Sequence, residues 1–257
     1  MVLDGIVQRQ RAALAARPPD VADLRRRLGA LGPPRDFAAA LLAAERPALI
    51  AEFKRRSPSR GVINATRTPA EAALAYQAGG AAAMSVLTSA EFDGSLTDLS
   101  EARAASSFPL LRKDFILEEV QLLEARVAGA DCVLLVARVL TAAVLADLTR
   151  VAHDLGLQVL LEVHGEGEVE AALAAAPDLI GVNHRDLQTF EVDPHLFARV
   201  APMLPPGLPM VAESGMATRA DVLAAASAGA HAVLVGETLM RAPDPAAMAR
   251  ILLGAGV

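Results

Sequence analysis

Short runs of consecutive apolar residues recur along the chain, separated by longer stretches in which apolar residues have helical spacing. Within the short runs the apolar residues do not alternate with polar ones, so both faces of each run are expected to be buried, as in a parallel sheet. These runs predict eight strands, namely Leu49–Phe53, Ala82–Leu87, Pro109–Leu111, Cys132–Val136, Gln158–Val163, Leu179–Val182, Met210–Ala212 and Ala232–Val235.

Alanine-rich amphipathic stretches between these runs predict helices. Two of them begin with helix-capping residues: Thr68 is followed by Pro69 and Glu71, and Thr218 is followed by Asp221. A side-chain cap, a first-turn proline and an acidic third residue are typical of a helix N-terminus. The predicted helices are Thr68–Ala78, Glu118–Ala128, Thr141–Leu155, Glu166–Ala176 and Thr218–Ala228.

An internal repeat indicates how strands and helices are connected. Three similar segments begin at Ala78, Ala128 and Ala228, each with Ala-Gly at a helix end followed by an apolar run. Glycine is favoured just past a helix C-terminus, so the repeat predicts a recurring helix–strand unit. Eight such strands in about 200 residues predict an α/β protein with a single (β/α)8 TIM barrel. A doubly wound sheet is disfavoured because no G-x-G-x-x-G motif follows any strand.

The residues before the first strand predict an N-terminal helical extension. Val2–Ala16, Val21–Leu28 and Asp36–Glu45 have helical patterns, and two prolines separate the first pair. An extension of this length is too short to build its own core and is expected to pack on the barrel. We therefore predict one domain over residues 1–257, of which residues 1–47 form the extension.

Composition narrows the class of protein. The 257 residues are 53% apolar and 21% charged, which excludes a disordered chain. A net charge of −6 argues against a nucleic-acid or membrane-surface partner. The single cysteine, Cys132, excludes an internal disulfide, and the N-terminus lacks the apolar core of a signal peptide. The prediction is a soluble, cytoplasmic protein.

Lysine usage points to proton chemistry at one end of the barrel. Only Lys54 and Lys113 are lysines among 24 basic residues, and both follow predicted strands. Active sites of such barrels lie at the C-terminal strand ends, and lysine can give up a proton whereas arginine cannot. Burial in a crowded site is expected to lower the pKa of a lysine toward the working range.

Acidic residues lie at the ends of three strands: Glu52 is on strand one, which precedes Lys54, and Glu162 and Glu213 are at the ends of strands five and seven. They predict either a structural network of ion pairs or an acid–base site with shifted pKa values. The loops Ser214–Gly215 and Gly236–Glu237 follow strands seven and eight, where this fold usually binds phosphate. An ordinary tight turn is the alternative interpretation.

The histidines give no sign of a metal site. The five of them show no metal-ligand spacing, so no metal is predicted. His164 and His184 follow strands five and six and are expected near the barrel mouth.

The strand ends resemble those of the indole-3-glycerol phosphate synthase family. The strongest match is Ile50–Gly61, and the similarity continues in order from about residue 45 to the C-terminus. Other matching segments are Ser85–Thr88, Phe92–Ser95, Leu111–Ile116, Leu161–His164, Gly181–Leu187 and Val211–Gly215. His184 departs from the pattern, because many members carry a second asparagine there.

This resemblance implies a lyase that closes the indole ring of 1-(2-carboxyphenylamino)-1-deoxyribulose 5-phosphate, with loss of CO₂ and water. It implies no metal and no organic cofactor. By the same resemblance Lys113 is the general acid, Glu162 is the general base and Lys54 holds the substrate carboxylate. Glu52 would orient the lysines, and Asn183 would hydrogen-bond the substrate hydroxyls.

The resemblance also implies the residues that bind the rest of the substrate. They are Ser57, Ser214, Gly215, Gly236 and Glu237 at the phosphate, Phe92 and Phe115 on the anthranilate ring, and Arg185 and Glu213 at the rim. The implied partner is a phosphorylated small molecule, and a monomer is expected.

Two other functions stay open at this point. One is a different phosphosugar barrel enzyme, either the isomerase of the preceding step or a Schiff-base lyase that uses one lysine. An isomerase function would not explain why two lysines and Glu162 occur together at the strand ends. The other is a non-catalytic phosphate-binding paralogue, which intact lysines and glutamates disfavour.

Overall fold

The computed structural model describes residues 2–16, 18–45, 47–58 and 60–255. Eight parallel strands close into a barrel in sequence order, which confirms the predicted (β/α)8 architecture. The first strand pairs with both the second and the last, and this pairing closes the ring. The strands are β1 Ala48–Phe53, β2 Ala83–Leu87, β3 Leu110–Lys113, β4 Cys132–Val136, β5 Gln158–Val163, β6 Leu179–Asn183, β7 Met210–Glu213 and β8 Ala232–Val235.

Three strands run further than their apolar runs predicted. β3 ends at Lys113, β6 at Asn183 and β7 at Glu213, each a polar residue that stays in the sheet ladder. Lys113 is in register with Leu87 of β2, and Asn183 with Glu213. These polar side chains are therefore held by regular backbone pairing rather than by loops.

Helices surround the barrel. All five helices predicted between strands are present, whereas four others were missed: α5 (Leu96–Ala105), α9 (Leu196–Val200), α11 (Glu237–Arg241) and α12 (Pro245–Leu253). α9 and α11 have five residues each, too few to show a helical period. The helices are α1 Val2–Ala16, α2 Val21–Leu28, α3 Phe37–Ala43, α4 Pro69–Ala78, α5 Leu96–Ala105, α6 Glu119–Ala128, α7 Ala142–Asp154, α8 Val169–Ala174, α9 Leu196–Val200, α10 Arg219–Ser227, α11 Glu237–Arg241 and α12 Pro245–Leu253.

Two hydrophobic layers form the core. The larger layer fills the space between the strands and the outer helices, and the smaller one fills the barrel interior. Phe37 and Leu41 of α3 belong to the interior layer and are fully buried. α3 therefore packs against the barrel interior, and the open end lies at the opposite, C-terminal ends of the strands.

The predicted extension over residues 1–47 includes Met1, Arg17 and Arg46, which lie outside the described residues. Its helix α2 packs on α6, and α1 reaches the other end of the barrel, where Arg9 lies 2.5 Å from Glu91. Within the described ranges, no helix has the length and apolar character needed to cross a membrane.

Candidate active site

The two-residue period of the strands decides which side chains face the barrel axis. On β3, Leu111 belongs to the interior layer, so Lys113 two residues later also points inward. Arg112, between them, points outward, where it lies 3.0 Å from Asp114 and donates a hydrogen bond to the Gln121 carbonyl. The same alternation brings three acidic residues into the top layer of the interior: Glu52, Glu162 and Glu213.

Lys113 contacts all three of these glutamates. Its Nζ donates a hydrogen bond to Glu213 and lies 3.3 Å from Glu162 Oε2 and 3.8 Å from Glu52 Oε2. We call these four residues the Lys113 cluster. Burial lowers the pKa of Lys113, but the charges of Glu213, Glu162 and Glu52 outweigh it and raise the pKa above its usual value. The expected lowering was wrong, because the carboxylates converge on the ammonium.

Glu52 links the two lysines. Its Oε1 lies 2.6 Å from Lys54 Nζ, and its other oxygen faces Lys113. Burial raises the pKa of Glu52, but Lys54 and Lys113 outweigh that effect, so the net pKa lies below its usual value. Glu52 is therefore a carboxylate that holds both ammonium groups at the mouth.

Glu162 and Glu213 compete for the same ammonium, and their protonation diverges. Burial raises the pKa of Glu162, but the positive charges of Lys113 and His164 outweigh that effect. The net pKa lies below its usual value, so this side chain is ionised. Burial and the neighbouring charge of Glu162 raise the pKa of Glu213 despite Lys113. Two carboxyl groups with pKa values driven apart are typical of an acid–base site. Glu162 is the member suited to accept a proton.

Two glycines leave room for the carboxylates of Glu213 and Glu52. A Cβ at Gly181 on β6 would overlap Glu213 Oε1, and a Cβ at Gly236 would overlap Glu52 Oε1. Both positions are on the inner face at the mouth, where any larger residue would displace an acidic group from its lysine. By contrast, a Cβ at Gly165 would meet no atom within 4 Å.

We expect Gly181→Ala to lower kcat by about 10²-fold, because the methyl group displaces the Glu213 carboxylate from Lys113 and small displacements at a reacting centre are costly. The clash is with the flexible end of a side chain, so the thermal midpoint should change little. Steady-state kinetics and a thermal melt check this, with Gly165→Ala as the matched control. Wild-type kcat in Gly181→Ala would show that the position of Glu213 is unimportant.

A cavity of about 390 Å³ opens above the Lys113 cluster. Among the predicted site residues, Glu213 alone does not line it, because this side chain is buried beneath the cavity rather than at the rim. The predicted residues that line the cavity are Glu52, Lys54, Ser57, Phe92, Lys113, Phe115, Glu162, Asn183, Arg185, Ser214, Gly215, Gly236 and Glu237. The structure thus brings thirteen of the fourteen to one surface.

The loop after β7 turns sharply into the cavity. Ser214 and Gly215 have φ values of +60° and +78°, a left-handed turn that costs a serine more than a glycine. Ser214 Oγ donates a hydrogen bond of 2.8 Å to Asn183 Oδ1, which also accepts from the Arg185 amide at 3.1 Å. These two bonds orient the Asn183 amide, so its Nδ2 is the donor available to a ligand.

Arginines that the sequence analysis missed also face this region. Glu237 lies 3.0 Å from Arg241 and 3.7 Å from Arg60, and both arginines line the cavity. Burial and the nearby charge of Arg60 lower the pKa of Arg185. The guanidinium groups of Arg60, Arg185 and Arg241 outnumber the single carboxylate of Glu237. This side of the cavity therefore has a net positive charge that favours binding of an anion.

The N-terminal extension contributes part of the cavity wall. Leu3 and Ile6 of α1 are buried and line it, a contribution that the sequence analysis missed. Their spacing of three residues on a helix indicated a buried stripe, but not which end of the barrel it would cover. A short hairpin after β1, in which Ser57 pairs with Gly61, lies at the same opening.

Neither histidine near the strand ends lines the cavity. His164 and His184 both line a separate pocket beside it. Nε2 of His164 lies 3.0 Å from Glu162 Oε1, behind the Lys113 cluster. In the described part of the chain, no group of three or more His, Cys, Asp or Glu side chains is arranged to hold a metal ion.

Comparison with known proteins identifies relatives over nearly the whole chain. The family model for indole-3-glycerol phosphate synthase matches residues 3–252. The indole-3-glycerol phosphate synthases of Mycolicibacterium smegmatis and Mycolicibacterium vanbaalenii are each 48% identical, over 99% of this chain and 94% of theirs. That of Parafrankia sp. is 46% identical over the same shares.

Solved structures with low sequence identity share the fold. A mandelate oxidase variant has a TM-score of 0.63 at 16% identity, over 82% of this chain and 73% of its own. The N-acetylmannosamine-6-phosphate 2-epimerase from Clostridium perfringens has a TM-score of 0.59 at 16% identity, over 77% of this chain and 90% of its own. These two show the barrel architecture alone.

Proposed function

The chain belongs to the indole-3-glycerol phosphate synthase family, and we propose that its Lys113 cluster carries out the proton transfers of that family's reaction. The protein is a carboxy-lyase of tryptophan biosynthesis that acts on a phosphorylated small molecule. The observation that carries the proposed site is a buried ammonium in contact with three carboxylates at the floor of a 390 Å³ cavity.

Ring closure needs an acid at the ketone oxygen of 1-(2-carboxyphenylamino)-1-deoxyribulose 5-phosphate. The aromatic carbon that bears the carboxylate attacks the ketone carbon, and Lys113 donates a proton to the oxygen as negative charge develops there. An alkoxide is more basic than an ammonium, so the raised pKa of Lys113 does not prevent the transfer. CO₂ then leaves, and the electron pair of its bond returns to the ring.

Dehydration needs a base. The new hydroxyl group takes up a proton from Lys54, which is free once the carboxylate has departed as CO₂, and leaves as water, while Glu162 takes the proton from the carbon that becomes part of the indole ring. Lys113 and His164 keep Glu162 ionised, which is the form that can accept a proton, and its Oε2 makes no hydrogen bond within the described ranges. We assign Lys54 to the substrate carboxylate, because its pairing with Glu52 holds it at the mouth.

Other residues of the cavity are proposed to bind the remaining parts of the substrate. Phe92 and Phe115 offer apolar surface for the anthranilate ring. The oriented amide of Asn183 suits the substrate hydroxyls, and Arg185 lies beside it.

A fluorescence assay for indole formation tests the proposed function. Purified protein mixed with the synthetic substrate should produce indole-3-glycerol phosphate and one CO₂ per turnover. An isomerase would yield no indole fluorescence, and a Schiff-base lyase would be trapped covalently by borohydride in the presence of its carbonyl substrate. Absence of indole formation by correctly folded protein would overturn the proposal.

We propose that the substrate phosphate lies between the loops after β7 and β8. Ser214, Gly215, Gly236 and Glu237 meet there, and backbone N–H groups at such loops bind phosphate oxygens in this fold. The Glu237 side chain pairs with arginines, which limits its repulsion of the anion. Ser57 lines the same cavity from the loop after β1.

A substrate that lacks the phosphate should therefore bind far more weakly. Charge-assisted hydrogen bonds contribute about 1.5–3 kcal/mol each, so the loss of two or three should raise KM by 10²-fold or more. Comparing KM and kcat for the two substrates measures this, with competitive inhibition by inorganic phosphate as an independent check. Equal KM values would exclude the phosphate site.

We further propose that one domain over residues 1–257 acts as a monomer in the cytoplasm, with residues 1–47 as its extension. The described residues of one chain supply a complete cavity, including the wall from α1. Cys132 is a buried free thiol, which suits a reducing compartment.

A further inference from the structure

His164 lies between two carboxylates behind the cavity. Its side chain is fully buried, with Nε2 3.0 Å from Glu162 Oε1 and Nδ1 3.8 Å from Glu168 Oε2. Glu168 Oε2 also accepts the His164 amide at 2.7 Å, and Glu168 Oε1 is bound by Arg138 at 2.8 Å. The Glu168 carboxylate is therefore fixed in place on the far side of the ring.

This position favours a doubly protonated ring. Neither ring nitrogen makes a hydrogen bond of good geometry within the described residues, so the contact with Glu162 depends on charge. A neutral imidazole has a lone pair on one nitrogen, which would face one of the two carboxylates. Burial lowers the pKa of His164, but Glu162 and Glu168 raise it to about 9. At neutral pH the ring is an imidazolium.

Other charged groups also surround the ring. Arg138 donates a hydrogen bond of 3.4 Å to the His164 carbonyl. Further groups line the adjoining pocket from the loops after β5 and β6 and from α9: Glu166, His184, Asp186, Glu191, Asp193 and Arg199. Arg138 binds Asp186, and Arg199 binds Glu166 and Asp193, so four of these charges are already paired. In the part of the chain that the structure describes, Glu162 and Glu168 are the carboxylates within ion-pair distance of the ring itself.

We propose that His164 is a positioning residue, whose imidazolium holds Glu162 ionised and turns Oε2 of that carboxylate toward Lys113 and the cavity. His164 does not line the cavity, so it acts through Glu162 and not on the substrate. This inference rests on the proposed role of Glu162 as the base. It explains why one of two adjacent glutamates stays ionised while its neighbour is driven toward the protonated form.

The pH profile of kcat tests this role. In His164→Gln an amide replaces the imidazolium, so Glu162 loses a positive charge at close range and its pKa rises by about 1–3 units. We expect the acid limb of kcat to move upward by that amount, with KM within about threefold of wild type. A purely structural role for His164 would lower the thermal midpoint and leave this limb in place, which would overturn the proposal.

His153→Gln is the matched control. His153 also pairs with a carboxylate, Asp178 at 2.9 Å, but it lies near the C-terminus of α7 and is partly exposed. The substitution His153→Gln therefore removes a similar imidazole–carboxylate pair, but one that lies away from the cavity. The pH profile of His153→Gln should match that of the wild type.

A titration of the wild-type protein keeps the proposal testable if His164→Gln does not fold. Nitrogen NMR of labelled histidine, assigned by single substitution of the other four, should show both His164 ring nitrogens protonated at pH 7 and a titration near pH 9. A neutral His164 ring at pH 7 would overturn the inference. Full activity in Glu162→Gln would instead overturn the proposed role of Glu162, while the wild-type titration reports on His164 alone.

Discussion

Lys113→Arg is expected to keep the charge, the fold and most of the substrate affinity, and to lower kcat by about 10³–10⁴-fold. A general acid contributes rate enhancements of about this size. A guanidinium holds its proton too tightly to release it during the reaction, whereas an ammonium can transfer it to a developing alkoxide. Steady-state kinetics and a thermal melt on one preparation measure all three properties.

Lys113→Met should be about equally inactive, because it also lacks the transferable proton. It is the less decisive variant, since it leaves three buried carboxylates without their shared cation and this destabilises the fold. Turnover by Lys113→Arg within about threefold of wild type would make Lys113 an electrostatic anchor. Lys54, which shares Glu52 with it, would then be the next candidate for the acid.

Glu162→Gln should slow turnover by about 10²–10⁴-fold and leave KM nearly unchanged, because the amide keeps the shape of the side chain but cannot accept the proton. Glu213 and Glu52 would still hold Lys113 in place. Measuring kcat and the thermal midpoint on the same preparation distinguishes a catalytic role of Glu162 from a structural one.

The matched control is Glu166→Gln, which removes an exposed carboxylate paired with Arg199. It should change neither kcat nor the thermal midpoint appreciably, since exposed ion pairs contribute little. If Glu162→Gln instead lost stability and kept its activity in the folded fraction, Glu162 would be a structural partner of Lys113.

The barrel could be predicted from the sequence because each strand is buried on both faces and therefore appears as an uninterrupted apolar run. The strand ends were less predictable. Lys113, Asn183 and Glu213 are polar, yet they continue their strands because the sheet ladder extends to them. α9 and α11 were missed because five residues cannot display a helical stripe.

Which residues gather at one cavity was predictable, but the electrostatics of that cavity was not. The family resemblance, which the comparisons confirm, rested on motifs at strand ends, and the fold brings those ends to one cavity. The pKa of Lys113 depends on three carboxylates that converge from different strands, a geometry that a linear pattern does not contain. Arg60 and Arg241 were missed because arginine is common in this chain and their positions follow no strand directly.

The central claim is that Lys113 acts before CO₂ leaves and Glu162 acts after it. A single-turnover experiment with enzyme in excess, which counts CO₂ and indole separately, tests this directly. We expect wild type to release one CO₂ and one indole product per substrate, Glu162→Gln to release CO₂ rapidly with little indole, and Lys113→Arg to release neither. Rapid release of CO₂ by Lys113→Arg, or rapid formation of indole by Glu162→Gln, would contradict this assignment of the two residues.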